Sequence, residues 1–249
     1  NYLLIKERYI IIMKFMGSKN RISKNIIKVI SENANIASSN WIEPFVGGGN
    51  MIDKVCNNKE RIGYDIDVNV INAMLFIRDN VNKLPKNNKE FTENDYNNLK
   101  KSNKCEFKSF AGFAYSYGGK WLGGWRRDKE NKRDYVNEAY RNALKQSKLI
   151  KNVKFINADY RKIVLEDQSI IYCDPPYFNT TGYNKNFNST EFWKWCRNMN
   201  SKGHSVFVSE YDAPDAFKCI WSKKITSSLT KNTGSIIGTE KLYICGINT

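Results

Sequence analysis

Short apolar runs that stop at a glycine or an acidic residue, each followed by apolar residues at helical spacing, recur along this sequence, and that alternation restricts the chain to few architectures. Trp41-Ile42-Glu43-Pro44-Phe45 reads as a strand that stops in Val46-Gly47-Gly48-Gly49, after which Met51, Ile52 and Val55 stand at helical spacing. Arg61-Ile62-Gly63-Tyr64-Asp65 reads as a second strand, and Asn69 to Asn80 as a helix carrying Val70, Ile71, Met74, Leu75 and Ile77. A β-α-β-α alternation predicts parallel strands joined by right-handed crossovers. Val153-Lys154-Phe155-Ile156 and Ile170-Ile171-Tyr172-Cys173 read as two more buried strands, with Asp159 and Asp174 at their ends. A helix around Glu191 to Met199, a strand from Ser205 to Ser209 and β-prone segments at Ser222 to Thr230 and Lys241 to Cys245 complete an α/β, Rossmann-like sheet of about seven strands.

Ahead of this pattern, the basic stretch from Lys14 to Arg21 leads into an amphipathic helix marked by Ile22, Ile26, Ile27 and Ile30. In its middle, Asn82 to Asn103 is rich in Asn and Lys and weakly patterned, as at the edge of an insert or in a solvated helix pair. From Phe107 to Asp134 aromatics and glycines interleave with basic residues, and Tyr135 to Leu149 reads as a helix. The expected division is a core made of 13–80 and 150–249, interrupted by a small, mainly helical and hairpin-bearing insert at 81–149. A chain of 249 residues suffices for one such unit.

Forty Lys and Arg against twenty-five Asp and Glu leave a formal charge of +15, which favours polyanionic partners. A Lys- and Asn-rich composition is also what an AT-rich genome encodes, so charge alone does not settle function. Cys56, Cys105, Cys173, Cys196, Cys219 and Cys245 form no CxxC or Cys/His pairing, which argues against zinc and against a disulfide framework and suits a reducing cytoplasm. The lone His204 is expected to be structural and partly exposed. No run approaches the roughly 18–20 apolar residues of a membrane span. The apolar start, Tyr2 to Ile12, is broken by Lys6, Glu7 and Arg8 and is not read as a signal peptide; Met13 stands as a candidate natural start.

In such a sheet, ligands sit beyond the carboxyl ends of the strands, at the switch in strand order. The glycines at 47–49 would let backbone approach a ligand closely. They do not spell G-x-G-x-x-G, and G-x-x-x-x-G-K-[ST] is absent, which lowers the expectation of a dinucleotide or a P-loop nucleotide. Asp65 stands where an acidic side chain accepts ribose hydroxyls, or alternatively where it caps a helix. Asp174-Pro175-Pro176-Tyr177 carries the most chemistry. An amino group conjugated with an aromatic base is a poor nucleophile. The Asp174 carboxylate and the Pro175 carbonyl could accept its two hydrogens and turn its lone pair toward an electrophile. Two prolines stiffen the loop that holds them, and Tyr177 offers a ring on which an extruded base could stack.

These elements resemble the Dam-like DNA adenine methyltransferases, of the α group in which the glycine motif precedes the recognition region and the catalytic tetrapeptide follows. The resemblance covers most of the chain from Lys14 onward. Lys14-Phe15-Met16-Gly17-Ser18-Lys19 is similar to the family's K-W-x-G-G-K element, with Phe15 for tryptophan and Ser18 for glycine. Glu43-Pro44-Phe45-Val46-Gly47-Gly48-Gly49 is similar to E-P-F-x-G-x-G. Asp65 matches the ribose acid, and Asp159-Tyr160 the D-F element beside the cofactor adenine, with Tyr160 for phenylalanine.

The resemblance implies S-adenosyl-L-methionine as cofactor, held by Phe15, Lys19, Glu43, Pro44, Phe45, Gly47, Gly49, Asp65, Asp159, Tyr160 and Asp174. It implies methyl transfer, without a metal, to N6 of a flipped adenine at Asp174 to Tyr177. The core then becomes the catalytic domain and the insert the target-recognition region. Its contacts to double-stranded DNA are expected from Lys120, Arg126, Arg127 and Arg133, with Arg21 and Tyr183 outside it. Tyr117, Trp121 and Trp125 could wedge a disturbed duplex or form the insert's own small core. The expected state is a monomer, with or without a restriction endonuclease partner. Cytosine N4, adenine in RNA and a non-catalytic nucleic-acid-binding protein of the same fold remain as alternatives.

Overall fold

The structure is a computed structural model that describes residues 13, 15–57, 59–103, 105–128, 130, 132–176, 187–226 and 237–246. The helices are α1 (Ser23–Asn33), α2 (Val68–Asn80), α3 (Glu93–Lys101), α4 (Glu106–Ala114), α5 (Tyr135–Leu149) and α6 (Ser189–Ser201). The strands are β1 (Asn40–Glu43), β2 (Arg61–Asp65), β3 (Val153–Asn157), β4 (Ser169–Cys173), β5 (Ser205–Glu210), β6 (Phe217–Thr226) and β7 (Ile237–Cys245). They form one sheet in the order β3-β2-β1-β4-β5-β7-β6. β1 pairs in parallel with β2 and β4, and β4 with β5. β7 is antiparallel to both β5 and β6. The sheet is therefore mixed and Rossmann-like, and the switch in strand order falls between β1 and β4, so the carboxyl ends of these two strands are the expected ligand edge.

The chain divides into two compact units. One comprises 25–45, 55–66 and 158–249 and carries every strand except β3. Its core is built from Ile42, Ile171, Phe192, Val206 and Val208 and from three buried thiols, Cys173, Cys196 and Cys245. β4 is buried at all five positions, as expected of a central parallel strand. The other unit comprises 1–24, 46–54 and 67–157. There α2 packs against α4 and α5. An aromatic cluster fills the space among the helices: Phe91 lies 5.2 Å from Tyr115, and Tyr96 lies 5.4 Å from Trp125. Asp134 caps α5 by accepting from Asn137 N–H at 2.8 Å, and α3 opens with a reciprocal Thr92/Asp95 capping box.

The structure departs from the sequence expectation, or adds to it, in several places. Met51 to Val55 is not an α-helix but a single 3-10 turn, Ile52–Lys54, closed by Lys54 N–H on the Met51 carbonyl at 2.9 Å. Phe107 to Ala114, for which the sequence reading has composition and no element, lies in α4. Gly112 suits this helix because its bare face receives the Trp121 indole: a Cβ there would meet the ring at 2.5 Å. β6 begins at Phe217, earlier than the β-prone run at 222, because a bulge between Cys219 and Trp221 breaks the alternation that marks a strand.

His204 is structural, as expected, but buried at 4% exposure: its Nδ1 accepts the Ser169 N–H at 3.1 Å, where β4 starts. Burial holds this imidazole below its ordinary value of 6.5. Because the folded value is depressed, His204 contributes stability that is present above pH 6.5 and is lost as pH falls through the folded value. His204→Gln is expected to flatten that part of the pH–stability curve in calorimetric unfolding. It should also lower stability by about 1–3 kcal/mol at neutral pH, as the Ser169 amide loses its acceptor.

Candidate active site

In the sheet-bearing unit, alternation places Trp41 and Glu43 on the same side of β1. The Trp41 indole N–H donates to Glu43 Oε1 at 2.8 Å, which holds a carboxylate that is only 2% exposed. Trp41 also stacks on Tyr172 of β4 at 6.1 Å between ring centroids. The Tyr172 hydroxyl shares a 2.8 Å hydrogen bond with Ser209 Oγ on β5. Burial first, and then the neighbouring Asp174 and Glu43 carboxylates, push the Tyr172 phenol well above its ordinary range. It therefore stays neutral, and no further negative charge arises beside Asp174. β4 ends at Cys173, so Asp174, half-buried, and Pro175, buried, leave the sheet at its carboxyl edge.

Asp65 closes β2, and its carbonyl accepts the Ala158 N–H at 3.1 Å. Helix capping is not its role: the N-cap of α2 is Asp67, which accepts the Asn69 N–H at 2.8 Å. Asp159 accepts the Arg161 N–H at 3.0 Å and its Nε at 2.9 Å, and this pairing holds the carboxyl below the usual range. Arg161 also reaches Glu191 at 3.3 Å. Tyr160 is buried among Phe45 at 5.3 Å, Phe192 at 5.8 Å and Trp195 at 5.4 Å. Burial, and after it the Glu191 carboxylate, push its phenol up to about 12. Pro44 is buried beside Glu43.

In the other unit, Gly47 and Gly49 adopt φ of 48° and 66°, and Gly49 N–H closes a turn on the Val46 carbonyl at 2.9 Å. The turn is packed from several sides. A Cβ on Gly47 would lie 2.9 Å from the Phe15 ring, one on Gly48 would lie 2.8 Å from Phe15 Cβ, and one on Gly49 would lie 2.5 Å from Met74 Cε. Phe15 is in turn 5.3 Å from Phe113. Lys19 is buried at 7% exposure, and its carbonyl accepts the Ile22 and Ser23 N–H groups at 2.9 and 2.8 Å where α1 begins. Asn50, buried beside Gly48, leaves its Oδ1 without a hydrogen-bond partner among the described residues.

The same unit shows what the basic and aromatic residues of 107–141 do. Ser116 and Trp125 form an isolated antiparallel bridge, with Tyr117 N–H on the Gly124 carbonyl at 2.7 Å and Arg126 N–H on the Tyr115 carbonyl at 2.9 Å. Trp125 belongs to the aromatic cluster and Trp121 packs 5.0 Å from Phe113. Tyr117 is 64% exposed, and Lys120 is exposed in the same loop. Arg126 pairs with Glu138 at 2.9 Å and lies 3.7 Å over the Tyr135 ring, so its guanidinium is occupied inside the fold. Arg133 pairs with Glu138 and Arg127 with Glu93, but Arg127 remains 71% exposed. Arg21 is exposed. Tyr177 and Tyr183 lie outside the described residues.

Trp41, Tyr172, Ser209 and Asn50 were not singled out in the sequence. Trp41 could have been, since it stands two residues before Glu43 on one strand and so shares its face. Among the described residues no group of three or more His, Cys, Asp or Glu could hold a metal ion, and no helix is long and apolar enough to cross a membrane.

Compared with known proteins, the chain matches the D12 class N6 adenine-specific DNA methyltransferases over residues 15–237. No curated protein sequence matches it. Among solved structures, protein PH1948 of Pyrococcus horikoshii is similar at 10% identity and a TM-score of 0.47, covering 94% of this chain and 88% of its own. The rRNA methyltransferase AviRa of Streptomyces viridochromogenes is similar at 9% identity and a TM-score of 0.45, covering 90% and 83%.

Proposed function

This chain belongs to the D12 class N6 adenine-specific DNA methyltransferase family, and from that premise we propose that Asp174, Pro175, Pro176 and Tyr177 carry its methyl transfer from S-adenosyl-L-methionine to adenine N6. The observation that carries this reading is the placement of Asp174 and Pro175 at the carboxyl end of β4, beside the switch in strand order. The Asp174 carboxylate and the Pro175 carbonyl accept the two amino hydrogens of the base and turn the N6 lone pair out of conjugation. The neutral Tyr172 hydroxyl, fixed on Ser209, supports the strand end that presents Asp174. Tyr177 stacks on the base once it has left the duplex.

The residues suit the cofactor chemically. S-adenosylmethionine presents ribose hydroxyls, an ammonium and an adenine amino group, all of them donors, and it supplies an electrophilic methyl group. The strand-end carboxylates Glu43, Asp65 and Asp159 are acceptors for such groups. The Gly47–Gly49 turn, next to the orphan acceptor of Asn50, suits a donor-bearing ligand as well. In this reading Phe15, Lys19, Glu43, Pro44, Phe45, Gly47, Gly49, Asp65, Asp159 and Tyr160 serve the cofactor. Calorimetric titration with S-adenosylhomocysteine tests it: saturable uptake is expected, and none at millimolar ligand would refute the assignment.

For DNA, residues 81–149 form the recognition region. Within it Tyr117, Lys120 and Arg127 are exposed groups placed to reach a duplex, with Arg133, and Arg21 outside the region, as further phosphate contacts. Lys120→Gln and Arg127→Gln are each expected to weaken DNA binding and to reduce the slope of log affinity against log salt by about one. Arg126→Gln is expected instead to lower stability by about 1–3 kcal/mol through the lost Glu138 pair, with the salt slope kept. Fluorescence-anisotropy titrations over a salt series separate the two; equal slopes for the parent and the Lys120 and Arg127 variants would remove these residues from the phosphates. The protein acts as a monomer in this reading.

A further inference from the structure

We infer that Gln146 is a positioning residue for the glycine turn at 47–49, an inference that rests on the reading of that turn as part of the cofactor site. α5 is a largely polar helix in which Val136 and Ala143 are buried, with a buried Ile150 at its C-cap, yet Gln146 on this helix is also fully buried at 0% exposure. Burying an amide is costly unless its polar ends are hydrogen-bonded. Here both are, and to backbone on two other segments: Oε1 accepts the Met13 N–H at 3.3 Å, and Nε2 donates to the Gly48 carbonyl at 2.8 Å.

The second bond bears on the cofactor. A trans peptide points its C=O and the following N–H in opposite directions within one plane. The Gly48 carbonyl is taken by Gln146, and the Gly49 N–H by the Val46 carbonyl at 2.9 Å. The 48–49 peptide is thus pinned on both sides. In a run of three glycines, the residues with the largest backbone freedom, such a clamp selects one conformation before a ligand arrives. The amide nitrogen of Gln146 also stands 3.3 Å from the place a Gly49 Cβ would occupy, so it fills space under the turn as well as bonding to it. Gln146 does not touch the reacting groups; it acts through the loop.

The test pairs two variants of the full chain. Gln146→Met keeps the volume and loses both hydrogen bonds. Gln146→Glu keeps an acceptor for Met13 N–H and can donate to the Gly48 carbonyl only when protonated. The expected result for Gln146→Met is a loss of about tenfold or more in S-adenosylhomocysteine affinity by calorimetry, with KM for S-adenosylmethionine raised in parallel and kcat within about twofold. For Gln146→Glu, affinity should recover as pH is lowered and the buried carboxyl takes up its proton, a trend absent from the parent. A merely structural role would lower the melting temperature without splitting KM from kcat and without the pH-dependent recovery. Affinity within twofold of the parent in a folded Gln146→Met overturns the inference; if that variant does not fold, a pH-independent affinity in Gln146→Glu does so. Absence of cofactor uptake by the parent itself overturns the reading of the turn, and this inference with it.

Discussion

Replacing Asp174 with alanine is expected to reduce methyl transfer by about a thousandfold or more while DNA binding stays within a factor of about two. The size follows from what is removed. Fixed groups that act on charge redistributed in the transition state contribute about two to three orders of magnitude each, because they need no reorganisation when the reaction occurs. Asp174 is such a group, since the amino lone pair becomes available only as its hydrogens are held. The Pro175 carbonyl alone can hold one of the two. Single-turnover methyl transfer, with anisotropy on the same DNA, is the pair of measurements; substantial residual activity would refute the role assigned to Asp174. Asp174→Asn, which removes the charge but keeps one acceptor oxygen, is expected to fall in the same direction by a smaller factor, because a neutral amide oxygen accepts more weakly than a carboxylate.

Gly49→Ala is expected to have the second largest effect, for a different reason. The new Cβ would lie 2.5 Å from Met74 Cε, and the backbone holds φ at 66°, where an L-residue is strained by about 1–2 kcal/mol. The turn must rearrange, and Met74, fully buried on α2, must move with it. A melting temperature lowered by several degrees and cofactor affinity weakened at least about tenfold are expected. Gly118→Ala is the control. Its φ is 71°, but nothing lies within 4 Å of the added carbon, so it carries the backbone strain without the clash and should leave cofactor affinity unchanged. Equal losses of affinity in the two variants would show that the packing of the 47–49 turn does not matter.

The parallel part of the sheet was legible because its strands are short apolar runs ending in residues that cannot continue them. Glu43 is followed by proline, Asp65 by an exposed Ile66, and Cys173 by Asp-Pro-Pro. What the sequence concealed is what depends on contacts far along the chain. Gln146 reads as one more polar residue on a polar helix until the Met13 and Gly48 backbones are placed against it. Gly112 carries no signal of its own in the sequence, but it is a helical position opened for the Trp121 indole. Arg126 reads as one of a basic pair with Arg127, yet Glu138, twelve residues on, and the Tyr135 ring take it into the fold, while Arg127 stays exposed. A local pattern cannot distinguish two adjacent arginines whose partners lie on other elements. Asp65 and Asp67 are the converse case. The sequence offers Asp65 as a candidate helix cap, and the geometry gives the cap to Asp67, two residues on.

The most direct test of the central claim is transfer of labelled methyl from S-adenosylmethionine to unmethylated DNA, followed by digestion to nucleosides and identification of the labelled one. The account predicts label in N6-methyladenine, absent from a parallel reaction with Asp174→Ala. Label in N4-methylcytosine, label only in an RNA substrate, or no transfer by a chain that nonetheless binds the cofactor would contradict it.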